Sequence, residues 1–398
     1  MRSTLRTLSI VALLYVVEGF PMGVYMDVWP VFLRRHEVSN TVIGLLSSLS
    51  LAWSLKVLWS PLVDRYGDAR HWIAAALCAM AAALGLLGSV ESASLGLSLF
   101  SMFAIFCLAS ATQDIAIDAY TIGLTPPGAE GPVNSARAAA YRIGQIAAGA
   151  GLLLLPPWIG WGGAFAAAAL TSLAMAVAVL GCPRVGVSSA ARRAPIAALL
   201  RWLRQPGTAA VLGFILLYRI GDRAMGPMVK PLWVDRGFSD PQIGFYANGL
   251  GTLATLLGAL IGGGGVARLG IPRALLAFGA LALASNFGYA LAALPATPHL
   301  AAFVAASLVE SLCSGLAGVA FVSYLMRITD KQHAASHYAL LSAVYALSGS
   351  LVAAPSGWLT EQLGYARYFA LTALFALPAF AFLPGATAWL RAATSPEA

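Results

Sequence analysis

Ionisable side chains interrupt long apolar stretches of this sequence, and they are the residues best placed to do chemistry. Six are acidic and six are basic: Glu18, Asp27, Asp114, Asp118, Asp222 and Glu310, with Lys56, Arg137, Arg142, Arg219, Arg223 and Lys230. A charge among apolar side chains is costly unless it meets a partner charge or water. Each of these residues must therefore neutralise another or help to bind a charged species.

Carboxyl groups in such surroundings can accept and release protons. Glu18 lies in the segment EGFP, where the following glycine and proline favour a bent helix. It can carry a proton, pair with Lys56, or do both. The segment QDIAIDAY places Asp114 and Asp118 one helical turn apart on one face. We expect Asp114 to carry a proton.

Asp118 has a second interpretation, as a structural or gating residue. Arg142 in the next apolar stretch and Arg65 in a preceding loop are its candidate partners, and a lock with either arginine is favoured. Arg142 and Lys56 are also candidate substrate contacts.

The segment YRIGDR places Arg219, Asp222 and Arg223 on one helical face, because their spacings are three and four residues. Asp222 can neutralise only one arginine, so a surplus positive charge remains for a substrate or for Glu310. A structural Arg223–Glu310 bridge is the alternative. Glu310 is itself a candidate proton carrier, and Asn286 and Tyr324 are weaker candidates for the same polar site.

Composition defines the class of protein that holds these residues. The 398-residue chain is 59% apolar, contains only 24 basic and 16 acidic residues, and has a mean hydropathy of +0.79. A soluble domain cannot bury that much apolar surface, so we predict an all-α integral membrane protein. The net charge of +8 is explained by arginines in loops rather than by nucleic-acid binding. The four cysteines show no disulfide or zinc spacing, and no cofactor or metal is expected.

Twelve stretches are long and apolar enough to cross a bilayer. We number them spans 1 to 12: near 7–33, 40–62, 72–91, 95–122, 136–157, 162–181, 208–234, 242–266, 272–294, 299–326, 337–359 and 366–388. With twelve spans, fourteen loop lysines and arginines fall on one side and four on the other. This bias predicts that both termini are cytoplasmic.

Weak internal repetition divides the chain into two halves. Met22-Gly23 corresponds to Met225-Gly226, and Ile43-Gly44 corresponds to Ile243-Gly244, with offsets drifting from 203 to 200 residues. The repeat predicts two pseudo-symmetric six-helix bundles, at 1–181 and 207–398. An arginine-rich cytoplasmic linker at 182–206, with a possible surface helix, joins them.

This arrangement and one loop segment resemble the major facilitator superfamily. The segment PLVDRYGDAR (61–70), between spans 2 and 3, is similar to the superfamily's loop signature, and GVARLGIPR (265–273) is a degenerate second copy. Asp64 and Arg65 are expected to cap and bridge helix ends there, in a structural or gating role.

A closer resemblance covers nearly the whole chain. The segments EGFP, SLKVLWSPLVDRYG, ATQDIAIDAY, YRIG and ESLCSGLAGVAFVSYLM are similar to the superfamily branch that contains bacterial muropeptide permeases and acetyl-coenzyme A transporters. This resemblance implies a proton-driven importer of a large polar solute, such as an anhydro-muropeptide, in the bacterial inner membrane. It places Glu18, Lys56, Gln113, Asp114, Asp118, Arg142, Asp222 and Glu310 in the family's polar motifs. Siderophore and acyl-coenzyme A transporters of the same fold remain alternatives.

Two other classes of protein are less well supported. A membrane-embedded enzyme is disfavoured, because no histidine lies in the middle of a span and neither HExxH nor GxSxG occurs in the sequence. A transporter-like sensor that binds solute without moving it is disfavoured, because we expect no attached signalling domain in this sequence. We therefore expect a monomeric transporter whose partners are a small-molecule solute, protons and lipid.

The loop charges predict a measurable topology. A reporter that is active only in the cytoplasm, fused after Ala398, should be active, and a periplasm-specific reporter at the same position should be silent. Fusion after Glu37, in the predicted loop between spans 1 and 2, should give the opposite pattern. Periplasmic activity after Ala398 would contradict both the orientation and the number of spans.

Overall fold

The computed structural model describes residues 2–65, 68–88, 97–125, 130–184, 205–294, 299–329 and 334–392. Every regular element within these ranges is helical, so the prediction of an all-α fold is confirmed. All twelve predicted spans coincide with helical segments. The surface helix predicted inside the linker falls outside the described residues, and the domain boundaries remain a prediction.

Spans 1 to 6 vary in regularity. Span 1 consists of the α-helix Arg2–Gly23, the π-helical turn Val24–Val28 and the α-helix Trp29–Arg35. Span 2 consists of the α-helical segments Asn40–Ser47, Leu51–Leu55 and Ser60–Arg65, separated by the 3₁₀ turns Ser48–Ser50 and Lys56–Leu58. Spans 3 to 6 are Ala69–Gly88, Leu97–Leu124, Glu130–Gly149 with the 3₁₀ turn Leu152–Leu154, and Pro156–Leu180.

Spans 7 to 12 follow the same pattern. Span 7 is Thr208–Leu217 and Ile220–Asp235, and span 8 is Asp240–Gln242, the π-helix Ile243–Leu250 and Gly251–Leu269. Spans 9 to 12 are Ile271–Ala292, Leu300–Ile328, Ala334–Leu363, and Tyr365–Phe375 with Leu377–Ala392.

Nine helical stretches of the described chain are long and apolar enough to cross a membrane by themselves. Spans 2, 5 and 7 fall short, because spans 2 and 7 are interrupted and span 5 is polar. These three spans carry Lys56, Arg142 and Arg223. Spans 2 and 7 thus combine an interrupted helix with a charged side chain, as expected where backbone lines a functional site rather than lipid.

The apolar helices expose large side chains on their outer surfaces. Leu170, Val177 and Leu260 are 67%, 72% and 75% exposed. Such surfaces are unfavourable in water but match the acyl chains of a bilayer.

The contacts divide the described residues between two compact units. The first draws on Met1–Val38, Leu49–Ala191 and Gly237–Gly249, and the second on Ser39–Ser48, Arg192–Arg236 and Leu250–Ala398. Spans 2 and 8 thus each contribute residues to both units.

Short polar contacts hold the exchanged segments. In the first unit, Arg35 Nε donates to Asp240 at 2.7 Å. In the second unit, Thr41 Oγ1 donates to Glu361 at 2.6 Å.

Close helix packing in the first unit depends on glycine. A Cβ at Gly19 would overlap the carbonyl oxygen of Tyr141, and a Cβ at Gly144 would overlap that of Val16. Spans 1 and 5 therefore approach to backbone contact, as small residues allow in membrane proteins.

A brace joins span 3 to the end of span 6. The Arg70 guanidinium donates to Asp68 at 2.6 Å and to the carbonyl oxygens of Cys182 and Leu180 at 2.6 and 3.2 Å. Those carbonyls belong to a helix C-terminus, where a cation is stabilising. The hydrogen bonds from Arg70 lower the pKa of Asp68 below its ordinary value, so the pair stays ionised at neutral pH.

We predict that Arg70→Ala lowers the apparent unfolding temperature, because two carbonyl groups and a carboxylate lose their hydrogen bonds from the guanidinium. The expected loss in free energy of unfolding is about 1–3 kcal/mol. Arg70→Lys should recover only part, since an ammonium cannot span these acceptors. Asp68 has a lowered folded-state pKa, so its contribution is present above about pH 4 and declines as pH falls further. The difference in apparent unfolding temperature between wild type and Arg70→Ala should therefore become smaller as the pH is lowered below about 4.

Thermal unfolding of the detergent-solubilised protein, followed by tryptophan fluorescence, measures both effects. Arg273→Ala is the matched control, because Arg273 occupies the corresponding start of span 9 and is exposed. If Arg273→Ala lowers the apparent unfolding temperature as much as Arg70→Ala does, the contacts of Arg70 are not what stabilises the fold.

Candidate functional site

Six side chains of the first unit form a connected group, which we call the amino-terminal cluster. Its members come from spans 1, 2, 4 and 5: Tyr15, Glu18, Lys56, Asp114, Asp118 and Arg137. The packing of span 1 on span 5 is what allows Arg137 and Tyr15 to meet. The cluster brings together three of the four acids predicted for the first half, with two bases.

Lys56 forms its ion pair with Asp114, with 31% and 14% of the two side chains exposed. The sequence offered a pair with Glu18 as one alternative, and the structure instead pairs Lys56 with Asp114. Lys56 begins the 3₁₀ turn Lys56–Leu58, so the regular α-helical spacing of side chains does not hold at this position.

Asp118 is held by two partners that differ from those predicted. Tyr15 donates its hydroxyl to Asp118 Oδ1 at 2.7 Å, and Arg137 Nη2 donates to the same oxygen at 2.8 Å. The Arg137 guanidinium also lies 4.5 Å above the Tyr15 ring. The expected ion pair of Asp118 with an arginine is present, and its partner is Arg137 rather than Arg142. The side chain of Arg65, the other predicted partner, lies outside the described residues.

Arg142 is directed elsewhere. Its Nη1 donates to Gln145 Oε1 at 2.6 Å, three residues along the same helix. Within the described chain, no carboxylate lies at ion-pair distance from Arg142.

Glu18 is the least satisfied member of the cluster. Its Oε2 atom is buried and has no hydrogen-bond partner among the described residues. Asp114 and Asp118 repel its charge, and Lys56 attracts it. Three carboxylates and two cations leave one negative charge of this cluster without a cation, and a proton can neutralise that charge.

Gln113 adjoins the cluster but is buried, with 1% of its surface exposed. Its Nε2 donates to the carbonyl oxygen of Val17 at 2.9 Å, which ties span 4 to span 1 beside Glu18. Gln113 therefore positions these helices in the free protein.

A second group, the carboxy-terminal cluster, lies in the second unit. It comprises Arg219, Asp222, Arg223, Glu310, Ser314 and Tyr345. Span 7 breaks at Tyr218 and Arg219 and restarts at Ile220, so Arg219 precedes a helix start.

Asp222 neutralises Arg219, as the spacing predicts. Arg219 Nε and Nη2 donate to Asp222 Oδ2 at 3.3 and 3.0 Å, and Nη2 also donates to the Ser314 hydroxyl. The principal charged neighbours of Glu310 are Asp222, Arg219 and Lys230. Arg219 thus interacts with both acids and donates hydrogen bonds to Asp222.

Arg223 makes a different contact from the one considered. Its guanidinium carbon lies 4.5 Å above the centre of the Tyr345 ring, and Nε donates to the Tyr345 hydroxyl at 3.2 Å. The proposed Arg223–Glu310 bridge is absent from the described residues.

The remaining candidates lie apart from these contacts. Asn286 is 1% exposed, and neither atom of its side-chain amide has a hydrogen-bond partner in the described part of the chain. Tyr324 is fully buried and donates to the carbonyl oxygen of Ala386 at 3.3 Å, so it packs span 10 against span 12. The side chains of Asp64 and Arg65 lie outside the described residues.

Sequence reasoning did not identify Tyr15, Ser314 or Tyr345 as site residues, and it named Arg137 only among the basic residues of the apolar stretches. A signal existed for two of them. Tyr15 precedes Glu18 by three residues, and Ser314 follows Glu310 by four, so each shares a helical face with a predicted acid.

An all-helical chain with apolar outer surfaces and ion pairs within its spans is a multi-pass membrane protein with the features of a solute transporter. Comparison with known proteins identifies the family. The family model of the Major Facilitator Superfamily matches residues 11–296, and the chain belongs to this superfamily of transporters, in the branch that includes the anhydromuropeptide permease.

Relatives and solved structures agree with this assignment. The chain is 30% identical over 386 residues to the anhydromuropeptide permease of Escherichia coli K12, covering 94% of this chain and 78% of that one. It is 26% identical to a Rickettsia conorii chain that bears the name transporter AmpG 4, covering 93% and 94%.

Among solved structures, a bacterial homologue of the human lysosomal transporter Spinster matches with a TM-score of 0.79 at 14% identity, covering 100% of this chain and 99% of that one. The nucleoside transporter NupG matches at 0.73 with 15% identity, covering 97% and 99%. At these identities the likeness shows the fold alone. The predicted superfamily and transporter class are confirmed.

We predict that, in a Glu18→Gln background, Asp114→Asn lowers the apparent unfolding temperature, because Glu18 can then no longer replace Asp114 as the ion-pair partner of the Lys56 ammonium, a loss of about 1–3 kcal/mol. In the same background, the double change Asp114→Asn with Lys56→Gln should restore most of the loss, since neither charge then remains. Fluorescence-detected thermal unfolding measures each variant. A double variant no more stable than Asp114→Asn would show that the pair does not stabilise the fold.

Proposed function

We propose that this protein is a proton-coupled importer of anhydromuropeptides in the bacterial inner membrane, with both termini in the cytoplasm. The observation that carries the proposal is the 30% identity to the Escherichia coli anhydromuropeptide permease over 94% of this chain. The excess of loop lysines and arginines on the side of the termini supports the orientation.

The amino-terminal cluster supports the proton coupling. Lys56 and Arg137 each hold one carboxylate, Asp114 and Asp118, and Glu18 has no cation of its own in the described chain. Lys56 and Asp118 keep 31% and 39% of their side-chain surface exposed. Charged groups that stay exposed inside a membrane protein face water, which supplies a route for protons.

Glu18 is the proton carrier in this proposal, and Lys56 is the group that responds. An ionised Glu18 competes with Asp114 for the Lys56 ammonium, while a protonated Glu18 leaves Lys56 to Asp114 alone. Protonation therefore changes the position of a cation that links span 2 to span 4. A solute that binds one arrangement more tightly than the other is thereby coupled to the proton.

Transport by the purified protein in liposomes tests the substrate and the coupling. Wild type should accumulate a labelled anhydromuropeptide when the outside is acidic, and a protonophore should abolish the accumulation. Unlabelled anhydromuropeptide should compete, while a ferric siderophore and an acyl-coenzyme A should not. Competition by either of those compounds in place of the muropeptide would assign the substrate to that class.

The same assay tests the carrier. Glu18→Gln should reduce gradient-driven accumulation by about 5-fold to 150-fold, the range of a typical coupling free energy. Exchange of internal for external solute should persist, because binding and conformational change need no net proton movement.

Glu37→Gln is the matched control, because Glu37 is an exposed carboxylate beyond the end of span 1. Its accumulation should equal that of wild type. If Glu18→Gln also accumulates solute normally, Glu18 is not the carrier, and Asp114 and Glu310 become the next residues to substitute.

A further inference from the structure

Two arginines one turn apart on span 7 have different electrostatic environments. Arg219 directs three donor contacts to Asp222 and Ser314, and it also interacts with Glu310. Its charge is therefore neutralised within the protein. Arg223 has no carboxylate partner among the described residues, and its hydrogen bond there runs from Nε to the Tyr345 hydroxyl.

The contact with Tyr345 fixes the orientation of the Arg223 guanidinium. The ring stacks beneath the cation at 4.5 Å, and Nε is occupied by the hydroxyl oxygen. The edge formed by Nη1 and Nη2 therefore remains for a ligand. That edge presents two parallel N–H donors, which match the two oxygens of a carboxylate.

Span 11 leaves room for this arrangement. Gly349 follows Tyr345 by one helical turn, and a Cβ at Gly349 would lie 3.2 Å from Arg223 Cδ. A larger residue would push the arginine stem off the ring. The Tyr345 hydroxyl accepts the bond from Nε, so its own hydrogen is available to a second acceptor.

We propose that Arg223 and Tyr345 form a subsite for one carboxylate of the transported solute. The carboxylate receives two bonds from Nη1 and Nη2 of Arg223 and one from the Tyr345 hydroxyl. The subsite rests on the proposed function in taking the solute to be an anhydromuropeptide, whose peptide part carries carboxylates.

Charge favours a carboxylate over a phosphate group. Arg223 contributes one positive charge without a counter-ion, and a carboxylate supplies one negative charge. A phosphate monoester carries about −1.5 to −2 at neutral pH. The excess negative charge would lie near Asp222, whose side chain is only 14% exposed, and repulsion would oppose binding.

Equilibrium binding to the purified protein tests the subsite directly, without transport. The probes are an anhydromuropeptide and the same compound with its peptide carboxylates converted to amides. For wild type, amidation should weaken binding by about tenfold to a hundredfold, as expected when a charged hydrogen-bonded contact is lost. Arg223→Gln should bind the acid about as weakly as wild type binds the amide, and it should no longer distinguish the two.

Two further variants separate recognition from folding. Arg223→Lys keeps the charge but loses the paired donors, so it should weaken acid binding while its apparent unfolding temperature stays near that of wild type. Tyr345→Phe keeps the ring and loses the hydroxyl, and it should weaken acid binding by about twofold to tenfold.

Arg236→Gln is the matched control, because Arg236 lies at the end of the same span and donates to the carbonyl oxygen of Ala293. It should keep the wild-type discrimination between acid and amide. If wild type binds the muropeptide and amidation has no effect, or if Arg223→Gln still discriminates, the subsite is overturned while the proposed function stands.

A wild-type protein that binds no muropeptide would remove the proposed substrate, and a ferric carboxylate siderophore and an acyl-coenzyme A then serve as probes. A siderophore that binds wild type more tightly than Arg223→Gln would support the carboxylate subsite without the muropeptide. The proposal is overturned if only a phosphate-bearing ligand binds wild type more tightly than Arg223→Gln. It is also overturned if no probe shows that preference.

Discussion

Charge inside a hydrocarbon layer must be paired or hydrated, and this requirement organises the described structure of both units. In the first unit, ion pairs of Lys56 with Asp114 and of Arg137 with Asp118 join spans 2, 4 and 5, and a hydrogen bond from Tyr15 to Asp118 adds span 1. In the second, Arg219 links span 7 to span 10 through Ser314. The charged residues thus connect helices as well as supplying chemistry, and a change in one protonation state alters contacts on more than one helix.

The backbone adapts to this requirement. Span 2 changes from α to 3₁₀ geometry at Lys56, and span 7 breaks at Tyr218 and Arg219. An unbroken helix would fix the direction of each side chain by periodicity alone. Lys56 and Arg219 lie at these interruptions, where the backbone leaves groups that need polar surroundings.

The sequence predicts the helices of this protein well, because hydropathy is a local property that each span carries by itself. It also identifies most charged members of both clusters, since any ionisable residue within a span demands a partner. The choice of partner depends on how helices are rotated and staggered, which one sequence does not reveal. The sequence offered Glu18 as one possible partner of Lys56, which pairs with Asp114. It favoured Arg142 or Arg65 for Asp118, which pairs with Arg137.

Neutral partners were harder still. Tyr345 supports Arg223 through its ring and hydroxyl, yet it lies 122 residues away and carries no charge that would attract notice in an apolar span. A tyrosine in such a stretch fits packing equally well, as Tyr324 demonstrates.

The polar character of spans 2, 5 and 7 also constrains how the chain enters the membrane during synthesis. An arginine or aspartate at the centre of an isolated helix opposes insertion by about 2.5–3.5 kcal/mol. Span 7 contains Arg219, Asp222 and Arg223 before any of span 10 or span 11 has been made. The polar partners of Arg219 and Arg223 on those spans, Ser314 and Tyr345, are therefore synthesised after span 7, and later helices complete the surroundings of the first helix of their own half.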